Sequence, residues 1–351
     1  MKAIFLSSNS DSVGKTMITL GLVMKLKEIG FRVSYVKPLG RKPIRLDYGI
    51  YDEDALFINE VLELKEPLDE ASPFVVDSYA DNKRSSNTVK SVRRQVLDAC
   101  QSFGNKDFLL IGGGVDVFDG AAFDIGILDL LEDLDARAII IDKWHGFTTA
   151  DTILGAARLY RGRCAGCVIN KVPKNMAPHI RKSVKPFIER RGVNVLGIVP
   201  VDKQLEALTV RQLAEELDGV IVCCERNLDQ HIHNYLIGAM DPENAQKYFR
   251  RIDDKAVITG AHNAEIQIAA MDASAKCIII TGGLRTSDRI IGQAISRGVP
   301  IISVSDDTFT TVEKIESSLG RLTIREGDKV ARARDIVDKE FDINAMLAAF
   351  S

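Results

Sequence analysis

The sequence predicts an α/β protein, in which a doubly wound parallel sheet is followed by a second, smaller α/β domain. Three observations carry this. Short, continuously apolar, β-branched runs alternate with helical patterns as far as Pro200. A polar turn ending in Gly14-Lys15-Thr16 separates the first such run from the first helical pattern. A second and shorter βα series then follows Pro200.

In the first series the strands are expected at 3–6, 32–36, 108–111, 138–142, 166–169 and 195–199. Helices are expected between them at 16–29, 53–64, 88–103, 125–134, 149–160 and 175–191. Strands that are apolar throughout, rather than alternating, belong to a sheet covered on both faces. Right-handed crossovers then wind the chain to both sides. The second series places helices at 210–217, 244–251, 265–271, 287–296 and 310–319, with strands at 219–223, 256–259, 277–281 and 300–304. The charged amphipathic stretch 329–350 is expected to pack on the second domain or on a partner subunit. Domain limits follow at 1–205, 206–322 and 323–351.

Composition excludes several classes. The 351 residues carry 46 basic and 49 acidic side chains, a net charge of −3, so no basic field draws nucleic acid or an acidic membrane. No apolar run reaches the roughly 18–20 residues of a membrane span. The opening residues pass from a short apolar run into the Gly-Lys-Thr turn, unlike a signal peptide. Cysteines at 100, 164, 167, 223, 224 and 277 are scattered through apolar runs, as expected of free thiols in a reducing, cytoplasmic compartment. Cys164-Ala-Gly-Cys167 has redox or zinc spacing but no second pair near it, and it reads as part of a strand. His231 and His233 read as solvated or interfacial.

The stretch from Ser7 to Thr16 is the chemically sharpest segment. A strand before it and a helix after it give the context in which backbone N–H groups curl around phosphates at a helix N-terminus. Asn9, Ser12, Val13, Gly14, Lys15, Thr16 and Met17 form this cradle, with Lys15 reaching the β- and γ-phosphates and the Thr16 hydroxyl on Mg²⁺. Asn9 stands where the motif has its first glycine, and asparagine tolerates the left-handed backbone that such a turn uses.

With this loop, residues 1–200 resemble the dethiobiotin synthetase group of P-loop enzymes and, more closely, the related N-terminal domain of long phosphate acetyltransferases. The matching segments are Ser8 to Thr16, Val36-Lys37-Pro38-Leu39-Gly40, Asp52-Glu53-Asp54-Ala55-Leu56 and Ile169-Asn170-Lys171-Val172-Pro173. The resemblance implies ATP with Mg²⁺, Lys15 and Lys37 as catalytic lysines, and Thr16 and Asp54 as metal ligands. It also implies that Asn170, Val172 and Pro173 hold the adenine base. One departure stands out, because Gly112 occupies the position of a magnesium-binding glutamate, with Asp116 and Asp119 as substitutes to consider.

Residues 208–322 resemble the DRTGG domain that follows the synthetase-like domain in those acetyltransferases and occurs in some regulated pyrophosphatases. Gly238-Ala239-Met240, Ile258-Thr259-Gly260, the segment from Ile280 to Arg285, Gly298-Val299-Pro300-Ile301 and the segment from Ser305 to Thr311 carry the match. After Gly260, Ala261-His262-Asn263 replaces the Asp-Arg of many members. Thr281, Gly282, Gly283 and Arg285 at a strand end are candidates for a small carboxylate or nucleotide effector, or simply a tight turn. Asp306-Asp307-Thr308 reads as a helix cap.

Three functions follow. The first is a stand-alone nucleotide-binding sensor like the regulatory region of phosphate acetyltransferase, since 351 residues leave no room for the acetyltransferase itself. The second is an ATP- and Mg²⁺-dependent synthetase activating a carboxylate or carbamate. The third is an assembly scaffold with a vestigial loop. Analogy with P-loop enzymes adds a homodimer or higher homo-oligomer.

Overall fold

In the computed structural model, which describes residues 1–76, 86–318 and 327–350, the apolar runs form two separate sheets. The chain divides into one compact unit of Met1–Asp202 with Ile324–Ser351 and another of Lys203–Thr323.

The first unit runs β1 (Lys2–Ser7), α1 (Lys15–Glu28), β2 (Val33–Val36), a hairpin of β3 (Pro43–Leu46) and β4 (Gly49–Asp52), then α2 (Glu53–Val61), α3 (Leu68–Ala71) and α4 (Ser86–Ser102). It continues with β5 (Phe108–Gly112), α5 (Ile127–Asp133), β6 (Arg137–Lys143), α6 (Thr148–Leu159), β7 (Cys164–Val172), α7 (Ala177–His179), α8 (Lys185–Glu189) and β8 (Val195–Pro200). Six strands lie in the order β2-β5-β1-β6-β7-β8, and every pairing is parallel. Both faces are covered, as a parallel sheet requires. In β1, Ala3 and Phe5 enter one core cluster while Ile4 and Leu6 are buried on the opposite face. The doubly wound sheet of the sequence is therefore present, with β1 at its centre and its loop opening at the strands' C-terminal edge. The hairpin β3–β4 was not legible beforehand. Its strands have four residues each and mix apolar with polar side chains, so they carry no apolar run.

The second unit comprises α9 (Lys203–Glu206), β9 (Leu208–Thr209), α10 (Val210–Glu216), β10 (Val220–Cys223), β11 (His231–Ile232), β12 (Asn234–Ile237), α11 (Pro242–Phe249), β13 (Lys255–Gly260), α12 (Ala264–Asp272), β14 (Cys277–Thr281), α13 (Asp288–Arg297), β15 (Ile301–Ser303) and α14 (Thr308–Ser318). Its sheet has the order β10-β15-β14-β13-β12, parallel except for β10, which runs antiparallel to β15. Strand β12, missing from the sequence reading, pairs with β13 at the sheet edge.

Helices α15 (Gly327–Glu340) and α16 (Ile343–Ala348) correct an expectation, because they belong to the first unit and not to the second. Helix α15 lies on α1, where Gly21 opposes Ala333 and Val337. Lys25 bonds Asp338, and Arg334 reaches Glu28 at 3.6 Å. Arg181 holds Glu340 at 2.6 Å, and the Asp342 N–H donates to the Leu196 carbonyl on β8. The reason is packing: α1 buries Met17 to Val23 and Leu26, more than one face of the helix, so it needs cover beyond the sheet. Among the described residues no helix is long and apolar enough to cross a membrane.

A Cβ at Gly21 would stand 2.7 Å from the Ala333 carbonyl oxygen, whereas one at Gly155 in α6 would touch nothing within 4 Å. Gly155→Ala should therefore gain up to about 1 kcal/mol from helix propensity. Gly21→Ala should instead lose about 1–3 kcal/mol by overpacking. Urea denaturation of the two variants beside the wild type reads both signs.

Candidate functional site

Strand β1 delivers its loop to the middle of the sheet edge, and α1 begins at Lys15 immediately after it. Gly14 has φ 90°, and its missing Cβ leaves room for the Asn170 amide, which donates to the Val13 carbonyl at 2.7 Å. Both the backbone and the close approach require glycine here. The expected left-handed turn at Asn9 is not what closes the loop. The left-handed residues are Ser12 (φ 55°) and Gly14. Asn9 works through its side chain, whose amide donates to Asp142 at 3.2 Å. Asp142 is buried at the end of β6 and also accepts from the Thr152 hydroxyl (2.6 Å) and the Lys143 N–H (2.9 Å).

The loop is built for an anion. The half-buried Lys15 ammonium donates to the neutral Ser8 hydroxyl at 2.6 Å. Burial pulls it down to about 8, Asp11 opposes that, and the charge of Lys37 adds to it. An anion beside it would favour the charged form and raise that value again. The Ser10 hydroxyl is buried without a hydrogen-bond partner among the described residues. The first N–H groups of α1 have no intrahelical acceptor either. Orphaned donors around a cationic amine fit a di- or triphosphate. Val13 and Met17 turn their side chains into the core, so they offer backbone groups only. Asn170 engages the loop and the Lys171 N–H, Val172 is buried in the core, and Pro173 is exposed beyond it.

Beside the loop lies a buried ion cluster. Lys37, just after β2, sits 2.8 Å from both Asp52 and Asp54. Burial alone would depress its ammonium, but the two carboxylates hold it well above the ordinary lysine value. Asp54 is shared, with both oxygens 3.1 Å from Lys42. Burial would raise its carboxyl, but Lys37 and Lys42 hold it well below the usual range. Asp52 was missed as a site residue, yet it is the hub. It is completely buried, caps α2 through the Asp54 and Ala55 N–H groups, and accepts from the Arg41 and Lys42 N–H groups. The signal that could have found it was the cap pattern, an aspartate immediately before an acidic first turn.

Gly112 ends β5 and Gly113 and Gly114 follow it, each pressed by a neighbour. A Cβ at 112 would meet the Tyr35 ring at 2.9 Å, one at 113 the Leu6 carbonyl, and one at 114 the Asp119 carboxylate. Asp119 accepts from the Val115 N–H at 3.0 Å and pairs with Arg41, while Asp116 accepts from the Phe118 N–H. These acids are occupied in shaping the loop. Among the described residues no three His, Cys, Asp or Glu side chains gather as a metal cage. Thr16 is half-buried at the start of α1, and the Asp54 carboxylate is engaged by Lys37 and Lys42. Cys164 and Cys167 are free, and burial pushes the Cys164 thiol up to about 11.

In the second unit the candidate strand end is polar and open. The Thr281 hydroxyl lies 3.0 Å from that of Thr308, and Gly282 and Gly283 have φ 88° and 67°. A Cβ at Gly282 would touch nothing. Gln267, wholly buried, donates to the Gly260 and Ala261 carbonyls and accepts from Thr286, a network the sequence did not disclose. Arg285 stays exposed and pairs with Asp288 at 2.9 Å. Asp307 caps α14 by accepting from the Thr310 N–H, as expected.

The chain belongs to the AAA domain family, which it matches over residues 2–210, and residues 212–318 match the DRTGG domain. A phosphate acetyltransferase of Synechocystis sp. is 20% identical over 362 residues, covering 98% of this chain and 51% of that protein. The ATP-dependent dethiobiotin synthetase BioD of Methanocaldococcus jannaschii is 24% identical over 210 residues, covering 58% of this chain and 96% of that protein. The chain thus spans about half the length of the phosphate acetyltransferases it matches. Among solved structures, the CBS and DRTGG domains of the Clostridium perfringens pyrophosphatase regulatory region, complexed with diadenosine tetraphosphate, have a TM-score of 0.30 at 20% identity. They cover 42% of this chain and 71% of that one.

Asp52→Ala should cost about 3–5 kcal/mol, because it removes a cap and leaves the Lys37 charge short of a partner. Urea denaturation measures this, and a loss below about 1 kcal/mol would contradict the hub role.

Proposed function

We propose that this chain binds Mg²⁺·ATP at the loop before α1 and uses it as a regulatory signal, as the resemblance to the N-terminal region of phosphate acetyltransferases suggests. The observation that carries the reading is Lys15: a half-buried amine in a loop whose Ser10 hydroxyl is buried without a partner among the described residues. Lys15 binds the phosphates, the Thr16 hydroxyl and the Asp54 carboxylate hold the cation, and Asn170 lies on the side of the sheet where the base is placed. The bound nucleotide supplies a transferable phosphoryl group. Two features favour holding it over spending it. Asp54 is already neutralised by two lysines, and Gly112 offers no carboxylate. Phosphoryl transfer depends on charge placed in line, so both weigh against turnover. The second unit's open strand end is the place for an effector, and six free cysteines suit a reducing compartment.

A synthetase reading is favoured by one observation: Lys37 is held charged beside the loop, where it could stabilise charge on a transferring group. ADP release on adding candidate amino or carboxylic acids would support that reading, and none would support the sensor.

Wild-type protein should gain thermal stability with Mg²⁺·ATP, and Lys15→Ala should not. No shift in either would leave only the scaffold role. The binding should also depend on pH. Below pH about 8 Lys15 is already charged in the free protein, so affinity is flat there. Above it the anion must bring a proton with it, so affinity should fall towards tenfold per pH unit. Calorimetry of the wild type in two buffers of different ionisation heat should show proton uptake at about pH 8.5 and little at about pH 7.

A further inference from the structure

Tyr35 lies on β2 with its ring against Gly112 at the end of β5, so close that a Cβ at 112 would stand 2.9 Å from Cζ and collide with the hydroxyl. The residue is 4% exposed, and its hydroxyl makes no hydrogen bond among the described residues. The hydroxyl is not among the fully buried atoms that lack a partner, so it reaches solvent, where an acceptor on a bound group could take its hydrogen. Burial, with Asp54 and Asp52 nearby, keeps the phenol well above its ordinary value despite the opposing charge of Lys37, so it remains a neutral donor. The sheet order gives that donor a direction. Reading across β7-β6-β1-β5-β2, Asn170 marks one side, the loop lies in the middle, and Gly112, Tyr35 and Lys37 mark the other. A nucleotide with its base towards β7 and its first phosphates in the loop extends its last phosphate towards β5 and β2.

We propose that Tyr35 is a specificity-determining residue that donates its phenolic hydrogen to the terminal phosphoryl group of a bound nucleoside triphosphate. Gly112 makes room for this hydroxyl. A neutral donor in that place favours keeping an anion, where a carboxylate would repel it unless a cation lay between them. This inference rests on nucleotide binding at the loop as proposed above, and the two can fail separately.

The test is calorimetric titration of wild type and Tyr35→Phe with Mg²⁺·ATP and Mg²⁺·ADP, with the unliganded melting temperature of both proteins measured alongside. Tyr35→Phe keeps the ring and should fold as the wild type does. Its ATP affinity should fall about tenfold, the loss of one hydrogen bond to a charged acceptor, while its ADP affinity stays within about twofold. Equal losses for both nucleotides, or no loss for ATP, would overturn the assignment while leaving nucleotide binding intact. If the wild type binds neither nucleotide, the binding proposal itself falls, and Tyr35 with it.

Discussion

The first unit is organised around the burial of one positive charge. Lys37 follows directly on β2, in a sheet whose faces are both covered, and an unpaired ammonium there would be prohibitive. Asp52 and Asp54 answer it, and that answer dictates the surroundings. To reach Lys37, Asp52 must sit at the end of β4, so the chain from Gly40 to Asp52 has to loop out and return, which the hairpin does. Because the same carboxylate caps α2, the helix axis is fixed by the ion pair. Arg41 and Lys42 donate their N–H groups to it and send their side chains on to Asp119 and Asp54. One buried pair thus ties the end of β2, the hairpin, α2 and the loop after β5. Removing a partner is far more damaging than the net worth of the pair would suggest.

That arrangement also bears on how a cation could be handled. A carboxylate already matched by two ammonium groups has little charge left to offer, so a divalent ion at Asp54 competes with Lys37 and Lys42. Lys15 is in the opposite condition: it donates to a neutral hydroxyl, and burial lowers its hold on its proton. The two lysines lie in one site yet are poised for different tasks, one structural and one receptive, and only their surroundings distinguish them.

Much of this was legible in the residues. The alternation of apolar runs with helical patterns foretold the parallel order of the first sheet, because burial on both faces leaves a mark on every residue of a strand. The loop was legible because Gly14 and Lys15 do what their chemistry demands locally. The less legible features depend on partners distant in sequence. Asn9 looked like a residue chosen for its backbone, but its function lies in an amide that finds Asp142 on another strand. Asp54 was visible through resemblance, whereas Asp52, its more deeply buried neighbour, could be ranked only once Lys37 was seen beneath it. The glycines after β5 read as the loss of an acid; in three dimensions they make space for Tyr35, Leu6 and Asp119. The short strands of the hairpin and the edge strand β12 leave weaker patterns because they are only partly buried.

The C-terminal helices show a further limit of local reading. Their charged faces are ordinary, and nothing in 327–350 names the surface they cover. What determines it is α1, whose fully buried residues include Ile18, Leu22, Val23 and Leu26 and whose Gly21 allows a neighbouring helix to approach its backbone. Helix α15 supplies that neighbour, and the pairs Lys25–Asp338, Glu28–Arg334 and Arg181–Glu340 set its register. The first unit is therefore completed only by residues that follow the second in the chain. The helix that carries Lys15 at its N-terminus is held along its length by a segment more than 300 positions away. Any displacement of α1 on filling the loop would have to be accommodated at that contact, since packed helices shift as units and interiors have few voids to absorb strain.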